Sequence, residues 1–132
     1  MKKILFVLCI FSSVANAEIS CEDAGGTLFK GNDGKTEYCL SYHGMNWWSA
    51  NAWCQSLGLE LVDLQIECNK KAVSNVSSTD CPQLTVNMGV MRFGWAKNTP
   101  SQSTAMRIQV HYGEIGTPAK STTAVAALCL VK

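Results

Sequence analysis

The residues best placed to do chemistry are cysteines. Once a leader containing Cys9 is set aside, the chain keeps Cys21, Cys39, Cys54, Cys68, Cys81 and Cys129. An even set in an exported chain points to disulfides. Metal ligation is the competing chemistry, but no C-x-x-C pair exists, and neither His43 nor His111 stands at zinc-ligand spacing from a cysteine. No metal and no cofactor are expected. Ser41-Tyr42-His43 sets a hydroxyl beside a base, yet chain neighbours seldom face each other productively, and no orienting acid is evident. With the cysteines oxidised, no thiol nucleophile remains. No catalytic residue is expected, and the chain reads as a non-enzyme.

Local context narrows the sulfur pairing. Cys21 and Cys39 flank Gly25-Gly26 and Gly31-Asn32-Asp33-Gly34, turn chemistry that folds the intervening chain back on itself. Cys68 and Cys81 flank the polar stretch from Ser74 to Asp80, which is too poor in apolar residues to hold its own shape. Those two local pairs leave Cys54 with Cys129, a tie that closes most of the domain into one loop.

The elements that must position these sulfurs are readable from periodicity. In NWWSANAWCQSLGLELVDL, residues 46–64, helical spacing puts Trp47, Ala50, Trp53, Cys54 and Leu57 on one stripe. Asn46 suits the N-cap and Gly58 a left-handed C-terminal closure. Leu59, Leu61, Val62 and Leu64 follow as a short buried strand. Thr36 to Tyr42 reads as a strand, Leu64 to Val73 as a second helix, and Arg107 to Tyr112 as a strand with Ile108, Val110 and Tyr112 on one face. Gly113 to Gly116 reads as a turn, and Ala124 to Val131 as a final buried strand. His43 is expected in a loop and His111 facing outward from its strand.

Residues 1–17 read as a cleaved signal peptide: Lys2 and Lys3, an apolar run from Ile4 to Phe11, then Ala15-Asn16-Ala17 as the cleavage site. The run is too short to span a bilayer, and no transmembrane segment is expected. Export to the periplasm, the cell surface or the medium follows, with residues 18–132 as one domain. Loss of the two lysines leaves 9 basic against 10 acidic residues, near −1. That balance argues against nucleic acid and against anionic membranes, since both need basic density. The adjacent pair Lys70-Lys71 fits a solvated helix face.

At this point the residues resemble the C-type lectin-like domain. Trp47, Ala50, Cys54, Gly58 and Leu61 stand in step with that family's helix motif. Ala127-Leu128-Cys129-Leu130 matches its closing strand, whose cysteine pairs with the helix cysteine in the family. Cys21 with Cys39 matches the hairpin disulfide of its longer members, and Phe93-Gly94-Trp95 looks like a degenerate form of its central strand. The resemblance covers nearly all of residues 21–132. It implies an α+β fold of two helices and antiparallel strands, here with three disulfides.

Sugar binding does not follow from fold alone. In sugar-binding members, calcium is held by an E-P-N or Q-P-D loop and a W-N-D run, and calcium takes six to eight oxygens. Neither motif occurs here. No carboxylate flanks Pro82, Pro100 or Pro118, and Glu114 is the only acid between Trp95 and Cys129. Trp47 and Trp53 are read as core. Trp48, off the stripe, is expected to pack under the N-terminal hairpin; left exposed, it would suit a sugar or a protein contact. The run from Ala96 to Thr104 is rich in amides and hydroxyls, and the family binds through this loop region. Trp48, Asn98 and Gln102 are therefore the candidate ligand residues. Asn75-Val76-Ser77 matches a glycosylation sequon. The expected function is an exported binding or adhesion module that recognises a surface protein or glycan without calcium. The alternative is a structural subunit of an envelope or appendage assembly.

Overall fold

A computed structural model describes residues 19–68, 81–88 and 92–131. The leader, the sequon, Lys70-Lys71 and the second helix beyond Cys68 lie outside those residues. The described chain is α+β, with seven strands in one mixed sheet: β1 (Gly26–Lys30), β2 (Glu37–Ser41), β3 (Glu60–Leu61), β4 (Arg92–Trp95), β5 (Arg107–Val110), β6 (Ile115–Gly116) and β7 (Ala126–Val131). Two helices are described, α1 (Trp47–Ser56) and α2 (Leu64–Glu67), with a 3-10 turn at Pro82–Leu84. The sheet order is β1-β2-β7-β4-β5-β6, and β3 pairs with β7 off this path. The pairing of β4 with β7 is parallel, through Gly94↔Ala126 and Trp95↔Ala127, whereas the other pairs are antiparallel. The expectation of antiparallel strands is corrected there: the long connection between β4 and β7 brings the last strand back in the same direction.

Strand alternation divides the interior into two cores, one on each face of the sheet. Tyr38, Leu40, Ile108, Val110, Ala126 and Leu128 belong to one core, with Leu64, Cys68, Cys81 and Leu84. Cys39, Trp95, Ala127 and Cys129 belong to the other, covered by Ala50 and Cys54 of α1 and by Leu57 at its C-cap. The helix stripe is thus the stripe read from the sequence, with Trp47 and Trp53 as half-buried flanks packed against it. Asn46 Oδ1 accepts from Ser49 N at 2.8 Å, and Gly58 closes the helix at φ +73°.

The three disulfides are Cys21–Cys39, Cys54–Cys129 and Cys68–Cys81, with Cα–Cα separations of 5.9, 5.6 and 4.1 Å. They point to an oxidising compartment. Among the described residues no helix is long and apolar enough to cross a membrane. The Cys54–Cys129 bond runs through the α1-side core, where both sulfur residues are fully buried. At the C-terminal end of α1, Ile19, Cys21, Leu57, Leu59 and Val131 line one cleft, so the two ends of the described chain meet there.

Two sequence expectations fail locally. The strand from Arg107 ends at Val110, because His111 adopts φ 130°, a region that L side chains seldom occupy. The turn throws Tyr112 off the buried face of Ile108 and Val110 and leaves it 56% exposed. His111 is half-buried, its ring 4.4 Å from that of Tyr112, rather than outward in a strand. The predicted turn at 113–116 instead ends in β6, which pairs Ile115 with Ile108.

Candidate functional site

The N-terminus of α1 is built into the loops around it. Trp47 N donates to Lys120 O at 3.0 Å, and Lys120 N donates to Ser103 O at 2.8 Å. Trp47 Nε1 donates to Ala96 O and Trp95 Nε1 to Met45 O, both at 2.8 Å. The loop 97–104 is fastened to 117–120 by the Thr104↔Ala119 bridge and by Ala105 N donating to Pro118 O. Within the loop, the Ser101 and Thr104 hydroxyls lie 2.6 Å apart.

These backbone ties place Lys120 beneath two indoles. Its side chain is buried, and Nζ stands 4.6 Å from the Trp47 ring centroid and 5.5 Å from that of Trp48. The indoles meet edge to face at 6.1 Å. A desolvated ammonium held this way is worth up to about 2 kcal/mol. The anchoring orders Trp48 while leaving it 49% exposed. Trp48 therefore stands over Trp47 and Lys120 and not under the N-terminal hairpin.

Of the three residues singled out from sequence, two share this surface. Trp48 touches Lys120, and exposed Gln102 adjoins Ser103, which holds the Lys120 backbone. Asn98 is spent elsewhere. Its Oδ1 accepts from Leu64 N at 2.7 Å and its Nδ2 donates to Asp63 Oδ1 at 2.9 Å, so its amide positions the start of α2. Lys120 was missed by sequence reasoning. Its signal was the basic excess after Trp95, where Lys97, Arg107 and Lys120 face only Glu114 before Cys129.

The Ser41 hydroxyl donates to the His43 carbonyl, and it accepts from Ala127 N. It is committed to the join between β2 and β7 and does not meet the imidazole. Tyr38 donates to Glu67 Oε2 at 2.6 Å. Burial pushes the Tyr38 phenol up, helped by Glu67, and burial likewise raises Glu67 against the opposing hydrogen bond. This pair joins α2 to the sheet. Among the described residues no group of three His, Cys, Asp or Glu side chains could share a metal ion.

Comparison with family models, with curated proteins and with solved structures finds no match. The reading of this surface therefore rests on its own geometry. An ordered, half-exposed indole over a fixed cation, beside hydroxyls and amides, can stack on a sugar ring or anchor a protein contact.

Proposed function

We propose that this chain is an exported, non-enzymatic binding module of C-type lectin-like fold that recognises a surface protein or glycan without calcium. The observation that carries the reading is Trp48, 49% exposed yet held by Trp47 and by Lys120, whose backbone is tied to the polar loop at Ser103. A large aromatic ordered in advance loses little entropy on contact. The C-type lectin-like assignment is supported by the in-step residues Trp47, Ala50, Cys54, Gly58 and Leu61 and by the helix-to-last-strand disulfide.

A glycan array probed with and without chelator tests this, together with pulldown from envelope extract. Binding that ignores chelator and is lost in Trp48→Ala supports the reading. Chelator-sensitive sugar binding would replace it with a calcium lectin. A second reading, a structural subunit of an envelope or appendage assembly, draws on a separate feature. Ile19 and Leu28, 59% and 39% exposed, border the apolar cleft at the chain ends. Capture of assembly partners that survives Trp48→Ala but fails in Leu28→Asp would favour it.

A further inference from the structure

Charge is unevenly placed along the described chain. From Arg92 to Val131 four cations stand against Glu114 alone, whereas residues 19–68 hold seven acids against Lys30 and Lys35. Two of the cations, Arg92 and Arg107, line one cleft of about 210 Å³ with Tyr42, Phe93, Val125 and Ala126, and among the described residues no acid is in its lining. Arg107 lies over the Phe93 ring, 4.4 Å from its centroid. Its Nε is buried and has no hydrogen-bond partner among the described residues. Arg92 Nη2 donates to the carbonyls of Ser41 and Tyr42, which fixes the second guanidinium. Gly116 makes room for the first: a Cβ there would come within 3.3 Å of Arg107 Nε. Glu114 borders the adjoining cleft, which Arg107 also lines.

Nε itself is sealed off, so a ligand in the cleft can meet only the terminal nitrogens of Arg107, for which no hydrogen bond is made among the described residues. A carboxylate fits best, because its two oxygens match the planar donor fork. The cleft is smaller than the range for drug-sized ligands, so it takes one small unit. Tyr42, 54% exposed, adds an aromatic face and a hydroxyl, while Val125 and Ala126 add apolar surface. A ring with one hydroxylated edge, one apolar face and a carboxylate meets all of these.

We infer that the Arg92–Arg107 cleft binds the carboxylate of an acidic sugar unit of the hexuronate class. Arg107 takes the carboxylate, Arg92 supplies the second positive charge, and Tyr42 lies along the ring. The cleft shares no lining residue with the Trp48–Lys120 surface, so the two sites succeed or fail independently.

The test is an NMR titration of the mature chain with glucuronate, glucose and acetate. Glucuronate should shift the amides of Phe93, Arg107 and Ala126, and glucose should bind at least about tenfold more weakly. Arg107→Lys keeps the charge but removes the fork, and should weaken glucuronate at least about tenfold with the fold intact by thermal melt. Trp48→Ala should leave this affinity unchanged. Equal binding of glucose, equal binding of acetate, or wild-type affinity in Arg107→Lys would each overturn the inference. So would the absence of any glucuronate shift, an outcome that needs no variant.

Discussion

Replacing Cys54 and Cys129 together by alanine tests the central covalent tie. Their sequence separation is 75, and loop-closure entropy for a loop of that length gives about 4.5 kcal/mol at 25 °C. Cys68 and Cys81, separated by 13, give about 3 kcal/mol on the same relation. Cys54 and Cys129 are also fully buried beneath α1, so truncation removes packing as well as the cross-link. For a domain of this size the larger loss corresponds to a melting temperature lower by about 18 °C. It is also a large part of the about 5–15 kcal/mol that holds such a domain folded. Thermal and urea unfolding of the double variant, beside Cys68→Ala/Cys81→Ala, supplies the measurement. The long-loop variant should be the less stable of the two. Should it melt within a few degrees of wild type, or above the short-loop variant, the reasoning from loop length and burial fails.

Other perturbations separate positioning from contact. Trp48→Ala should cost under about 1 kcal/mol in urea unfolding, because the ring is half in water, while abolishing ligand capture. Asn98→Ala should do the reverse, costing about 1–3 kcal/mol by stranding Leu64 N and loosening Asp63, with ligand capture retained. Gly94→Ala should destabilise by about 3 kcal/mol, since its Cβ would sit 2.6 Å from Leu128 Cβ, an atom fixed to the backbone of β7. Glu67 keeps its proton to higher pH when folded than when unfolded. Its contribution is therefore complete below its ordinary value of 4.5 and is lost as pH rises through its raised folded value. Glu67→Gln should flatten that fall in melting temperature. Asp33, lowered by hydrogen bonds from Thr36 and Lys35, works oppositely, and its contribution disappears as pH drops below 3.8.

The α1 stripe was legible because Ala50, Cys54 and Leu57 recur at helical spacing, β7 because Ala126–Val131 is an unbroken apolar run, and β5 because its residues alternate. Strand direction was not legible: the period of Arg92–Trp95 is the same whether it runs with or against Ala126–Val131. Nor was the break at His111, where a non-glycine residue takes a positive φ with no glycine to announce it. Asn98 and Gln102 look alike in a polar loop, and only the approach of α2 claims one amide and leaves the other in solvent. Lys120 was hidden for a related reason. Its burial between indoles depends on Ser103 and Trp47 meeting the same backbone segment from two directions.

The sulfur ties also govern what happens under tension. A pull applied at Ile19 and Val131 can cross from Cys21 to Cys39 and from Cys54 to Cys129 without unravelling the chain between them. Only the stretch from Cys39 to Cys54 and the short tails can pay out. At full extension the oxidised chain reaches about 75 Å, against about 380 Å once reduced. Between two surfaces being dragged apart, it is a short leash.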